Sequence, residues 1–130
     1  MIKCGAMKKP NYEIERKYLI YRPEQKWLEE HAEGTEITQT YLLSEPGTTE
    51  RVRKRGKEGV YCYTHTVKHR ISDLRRQEDE EEISEEQYYA LLRRADPQRN
   101  VICKTRWCFW YRDHLFELDV FPFWTDRAEL

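Results

Sequence analysis

Six stretches of this chain repeat one pattern, a charged or hydrogen-bonding residue at every second position. They are Glu13, Glu15 and Lys17; Arg51, Arg53 and Arg55; Thr66 and Lys68; Glu78, Glu80 and Glu82; Lys104 and Arg106; and Glu117 and Asp119. Spacing of two puts the members of each set on one face of a β-strand. The alternate positions are apolar in the clearest cases: Phe116, Leu118 and Val120 flank Glu117 and Asp119, and Trp107 follows Arg106. Carboxylates without Cys or His partners suit hard, oxygen-seeking cations such as Mg2+ or Mn2+. Arginine binds phosphate oxygens in bidentate fashion, and lysine binds them as a point charge.

Taken singly, each set reads as the solvated face of a sheet. Same-face neighbours stand about 7 Å apart, where two like charges at an effective dielectric near 20 repel by about 2 kcal/mol, and bulk water removes most of that. Taken together, faces turned toward one another would form an interior too charged to be sealed and dry. Such an interior must be wet and must bind ions, which describes a pocket for a metal-chelated polyphosphate.

The elements that would carry these sets follow from local pattern. Residues 1–10 read as a flexible leader, and residues 11–130 as one domain. Alternation and aromatic content predict a strand over 11–20. Pro23, the apolar spacing of Trp27, Leu28 and Ala32, and Gly34 just beyond predict a helix over 22–33. A strand over 35–44 ends at Pro46-Gly47, and strands on either side of Lys57 to Gly59 form a hairpin. An acidic strand ending at Ile83 precedes a helix over 84–95, where Ser84 and Gln87 fit a capping box and Tyr88, Leu91 and Leu92 form the apolar stripe. Asp96-Pro97 stops that helix. The last third reads as two strands joined by a turn at Arg112 to His114.

Composition narrows the classes. With 130 residues the chain supports one modest core. A net charge of −1, with 36% charged residues, gives no overall pull toward nucleic acid or an anionic membrane. Four Trp, nine Tyr and four Phe argue against disorder. No apolar run approaches the about 20 residues of a spanning helix, and the first ten residues hold no signal-peptide core, so the cytosol is the expected compartment. Cys4, Cys62, Cys103 and Cys108 lack a CxxC pair and read as scattered reduced thiols. His31, His65, His69 and His114 share no spacing with the acids, and surface or packing roles are expected of all four.

In chain order, the motifs resemble the CYTH superfamily, the triphosphate tunnel metalloenzymes. Glu13, Glu15 and Lys17 match its ExExK hallmark, "QTYL" with Tyr41 is similar to its QGYL, and "ERVRKRG" to its RxR strand. "THTVKH" is similar to its TxK strand, "RRQEDEEEI" to its R-x-E-x-E segment, "CKTRW" to its K-T-R strand and "HLFELDVF" to its ExD strand. The resemblance covers residues 12–130. It implies a mainly β fold, an antiparallel eight-stranded barrel or tunnel with two or more flanking helices.

It also implies roles. Glu13, Glu15, Glu78, Glu80, Glu117, Asp119 and Glu129 would be metal ligands or water-positioning acids for Mg2+ or Mn2+. Lys17, Arg51, Arg53, Lys68, Lys104 and Arg106 would cradle phosphate, and Glu13, Glu15, Lys17 and Tyr41 would serve catalysis. Tyr41 is also read as a packing residue. Family members continue past "RAEL" with a further acidic strand, so the expectation is a tunnel that is incomplete, or one completed by a second subunit in a homodimer.

The activity so implied is metal-assisted attack of water on a terminal phosphoryl group, with inorganic triphosphate the expected substrate and nucleoside or thiamine triphosphate its neighbours. A class IV-type adenylate cyclase is the enzymatic alternative. A non-catalytic polyphosphate- or nucleotide-binding module is the alternative of another class. RNA binding through "RVRKRGK" ranks below these, because that stretch alternates at strand period and lacks interleaved stacking aromatics.

Overall fold

The computed structural model describes residues 16–130. The chain is mainly antiparallel β with two short helices. Its elements are β1 (Leu19–Tyr21), α1 (Gln25–His31), β2 (Glu33–Leu42), β3 (Thr48–Lys57), β4 (Val60–Arg70), β5 (Arg76–Ile83), α2 (Glu85–Leu91), a 3-10 turn (Leu92–Arg94), β6 (Ile102–Tyr111), β7 (His114–Val120) and β8 (Arg127–Glu129). The hydrogen-bonded order is β1-β8-β7-β6-β2-β3-β4-β5. None of the described helices is long and apolar enough to cross a membrane.

Two compact units divide the described residues, one holding Thr38–Ile102 and the other holding the residues up to Ile37 together with Cys103–Leu130. In the first, β3 and β4 form the predicted hairpin, with Arg51 opposite Thr66 and Arg53 opposite Thr64. Glu58 and Gly59 turn it with φ of 52° and 81°, as a two-residue hairpin loop demands. β5 continues the sheet with Thr66 opposite Glu80 and Lys68 opposite Glu78. One face packs Leu42, Val52, Tyr63 and Tyr88, the last delivered by α2. The capping box of α2 forms as predicted: the Ser84 side chain accepts from the Gln87 amide, and the Gln87 side chain accepts from the Ser84 amide.

In the second unit, β6 and β7 pair with Arg106 opposite Asp119 and Cys108 opposite Glu117. Arg112 and Asp113 make their turn with φ of 48° and 64°. Leu28 of α1 packs with Leu118, Val120 and Ala128, and Trp107 and Phe109 lie against this cluster.

Some expectations change. Gly34 does not end a helix but lies inside β2, where an added Cβ would fall 2.8 Å from the Trp107 ring. Close packing, not helix termination, selects glycine there. β8 holds Glu129, which the resemblance assigned to a further acidic strand, and it pairs with β1 through Ile20 and Ala128. Cys62 is disulfide-bonded rather than a reduced thiol, whereas Cys103 and Cys108 are free. The strand expected over 11–20 is seen as Leu19–Tyr21, its earlier part lying mostly outside the described residues.

Candidate functional site

Register and period-two alternation place the predicted charged sets on shared faces. In the first unit, Arg51, Arg53 and Arg55 of β3, Thr64, Thr66 and Lys68 of β4, and Glu78, Glu80 and Glu82 of β5 lie on one face, because their cross-strand partners are one another. The opposite face carries Val52 and Tyr63 of the apolar core. Two residues of β2 join the charged face. Gln39 is buried, and its Oε1 accepts from Arg53 Nε at 2.8 Å. Two positions on, Tyr41 stands under the Arg99 guanidinium, 3.6 Å from ring centroid to Cζ.

On this face lies a pocket of about 200 Å3, lined by Tyr41, Thr49, Arg51, Thr66, Lys68, Arg76 and Arg99. Among the described residues, four cations and no carboxylate line it. A smaller hollow of about 150 Å3 shares Thr49, Lys68 and Arg76 and adds Arg70 and Gly47. Arg51 Nε is buried with no hydrogen-bond partner. Lys68 is opposite Glu78 in register, yet among the described residues neither it nor Arg51 nor Arg76 forms an ion pair. A buried, unbonded N–H is costly, and clustered like charges repel. An anion in the pocket would relieve the repulsion.

The flanking acids are held apart from the cations. Thr66 Oγ1 donates to Glu80 Oε1 at 2.8 Å, and Glu78 and Glu80 are exposed.

The second unit handles the same residue types differently. Lys104 Nζ lies 2.7 Å from Asp119 Oδ2, Arg106 Nε donates to Asp119 Oδ1 at 2.8 Å, and Arg106 Nη1 lies 3.1 Å from Glu117. Burial pushes the Asp119 carboxyl up, but hydrogen bonds from Arg106 and Lys104 outweigh it and hold the group below its ordinary value. Burial likewise disfavours the charged Arg106, and Asp119 more than offsets it. Glu129 is opposite Asp119 on β8, and its carboxylate is 3.7 Å from Lys17 Nζ on the exposed edge.

Of the predicted site residues, Tyr41, Arg51 and Lys68 meet in one pocket, with Arg53 adjacent through Gln39. Lys104, Arg106, Glu117 and Asp119 form their own network. Glu13 and Glu15 lie outside the described residues. Among the described residues no three His, Cys, Asp or Glu side chains come together as a metal site. Glu78 and Glu80 share a face, and Asp119 has both oxygens engaged, so the described acids taken alone do not complete a shell for a hard cation.

The sequence reading includes Arg76 in its R-x-E-x-E segment but gave it no role, and it missed Arg99. Arg76 was legible, since it stands two positions before Glu78 and shares its parity. Arg99 follows the 3-10 turn in a loop without periodicity. It also missed His65, whose Nε2 lies 2.7 Å from Glu50 Oε1 on the opposite face, where Arg94 Nη2 donates to Glu50 Oε2 at 2.9 Å.

Comparison with known proteins extends the description of the fold. The chain is similar to the solved structures of the PH1012 protein from Pyrococcus horikoshii OT3 (21% identity, 87% of this chain and 74% of that chain, TM-score 0.56) and the PH1819 protein from the same organism (18% identity, 88% and 76%, TM-score 0.54). It is also similar to a conserved hypothetical protein from Pyrococcus furiosus (19% identity, 88% and 77%, TM-score 0.53). No protein-family model and no curated protein matches. Likeness at these identities concerns the fold alone.

Proposed function

We propose that the chain is a divalent-metal-dependent hydrolase of triphosphate-bearing substrates, with inorganic triphosphate as the preferred one. The observation that carries this reading is the pocket into which Arg51, Lys68, Arg76 and Arg99 converge. Phosphoryl transfer needs positioning and charge neutralisation far more than a covalent partner, and these side chains supply both. In this reading Arg51 and Lys68 fix phosphate oxygens, Thr49 offers a hydroxyl between them, and Arg76 and Arg99 hold the outer groups.

Closure of the eight-stranded sheet into a tunnel belongs to the same proposal, on the strength of the ordered motifs. So does a bound Mg2+ or Mn2+, for which Glu13, Glu15, Glu78 and Glu80 are the oxygen donors by residue type. The cation would supply further neutralisation of the phosphoryl oxygens. Lys104 and Arg106 act in this reading by keeping Asp119 ionised and fixed, and Glu117, Glu129 and Lys17 extend that network.

The test is phosphate release from tripolyphosphate by the purified chain with Mg2+ or Mn2+. Glu15→Gln is expected to abolish release, and Glu30→Gln on α1 to leave it unchanged. Equal effects of the two would refute the reading, and cyclic AMP as the main product from ATP would replace it with a cyclase. Tight tripolyphosphate binding without release at any metal concentration would leave a binding module.

A further inference from the structure

The cations of the pocket are arranged one to a strand. Arg51 is on β3, Lys68 on β4 and Arg76 on β5, and Arg99 is held over Tyr41 of β2. These four strands are consecutive neighbours in the sheet. At about 4.8 Å per strand, β2 and β5 are about 14 Å apart across the sheet. The cationic row therefore crosses the strands, with Arg99 at one end and Arg76 at the other.

Arg99 differs from the rest of the row. It is exposed, comes from a loop and is oriented by contact with the Tyr41 ring. A guanidinium stacked on an aromatic face keeps its five N–H groups at the rim, in a plane parallel to the ring. The segment that delivers it is pinned to the strand ends: Asp96 donates its amide to the Tyr41 carbonyl at 2.9 Å, the Leu43 amide bonds Arg94 O at 2.8 Å, and Arg94 is tied to Glu50. The rim of Arg99 is thus presented at the β2 end of the row before any ligand arrives.

Resting on the triphosphatase reading, we infer that Arg99, positioned by the Tyr41 ring, sets the minimum chain length of the anion: an unbranched polyphosphate lies across β2–β5, and only a chain of three or more phosphoryl groups reaches Arg99. Shorter anions are held by the central pair, Arg51 and Lys68, with the Thr49 hydroxyl beside them. Tyr41 acts as a platform, through its ring and not its hydroxyl.

The experiment is calorimetric titration of the full chain with orthophosphate, pyrophosphate and tripolyphosphate, with phosphate release measured separately. Arg99→Ala is expected to weaken tripolyphosphate about tenfold, the effect of one charge-assisted hydrogen bond, and to leave orthophosphate and pyrophosphate within about twofold. Tyr41→Leu is expected to reproduce that selective loss, Tyr41→Phe to show none, and Arg93→Ala, in the preceding 3-10 turn, to show none. Far-UV circular dichroism confirms that each variant is folded, and Arg99→Lys, which keeps charge without the planar fork, should recover only part of the loss. A uniform loss across the three anions, or no loss, overturns the inference, as does a Tyr41→Phe defect. If wild type binds tripolyphosphate with this selectivity and releases no phosphate, hydrolysis falls and the chain-length inference stands. If it releases phosphate and Arg99→Ala keeps the wild-type profile, the reverse holds.

Discussion

Each unit of the chain buries one face of its strands beneath a short helix and presents the other as charge, but the two settle that charge differently. On β6 and β7, Lys104 and Arg106 converge on Asp119, which is 5% exposed, and the cations are neutralised within the protein. On β3, β4 and β5, Arg51, Lys68 and Arg76 line an open pocket that has no carboxylate among its described walls. The residue types are nearly the same in both units. At Arg106 and Arg51 the register differs. Asp119 stands directly opposite Arg106 on the neighbouring strand, whereas Arg51 faces Thr66, a residue with no charge to offer. The second unit locks its cations internally; the first leaves Arg51, Lys68 and Arg76 around an open pocket.

The largest effect that tests this contrast is on stability. Asp119→Ala removes the buried carboxylate that Lys104 and Arg106 share, and removal of one partner from a buried pair costs about 3 to 5 kcal/mol. Urea denaturation should show a loss of that size. A loss below about 1 kcal/mol would mean that Lys104 and Arg106 find other partners, and the lock would not be one.

Arg51→Met asks the opposite question of the first unit. Its Nε lacks a hydrogen-bond partner, and its guanidinium stands among other cations, so its removal relieves repulsion. Folding stability should stay within about 0.5 kcal/mol of wild type or rise. Tripolyphosphate affinity should fall by about 2 kcal/mol, near thirtyfold, as expected for lost bonds to a charged group. A variant that loses stability and keeps affinity would exchange the roles of the two units.

Much of this contrast was legible in the sequence. Period-two charge over β3, β4, β5 and β7 gave both the strands and the face each set occupies, because parity is a local property. Tyr88, Val52 and Leu118 were readable as core for the same reason, each falling on the apolar phase of its element. Pairing across strands was not readable, since the register that puts Asp119 between Lys104 and Arg106 depends on the Arg112–Asp113 turn and on β8. Nor was Arg99, whose position depends on how the segment after α2 returns along β2. Gly34 was misread because a helix stop and a contact with Trp107 favour the same residue.

The smallest expected effect concerns the covered face of the first unit, which has a lock of its own. Glu50 on β3, with a side chain only 13% exposed, is tied to Arg94 of the 3-10 turn and to His65 of β4, and His65 Nδ1 lies 3.8 Å from the exposed Glu81 of β5. Burial raises the Glu50 pKa, but bonds from Arg94 and His65 outweigh it and leave the carboxyl below its ordinary value. A carboxyl lowered on folding contributes stability that is fully present above its unfolded pKa, near about 4.3, and is lost as pH falls through the folded value. Glu50→Gln keeps the shape and an acceptor but not the charge, and should cost about 1 kcal/mol at pH 7. The gap between the variant and wild type in thermal melts should close as the pH falls below about 4. Asp119→Asn, in the second unit, should show the same convergence from a wider gap, because its carboxylate serves two cations at closer range. If the Glu50 gap persists in acid, packing and not charge holds the 3-10 turn against β3, and the first unit would then lack an ionic lock on either face.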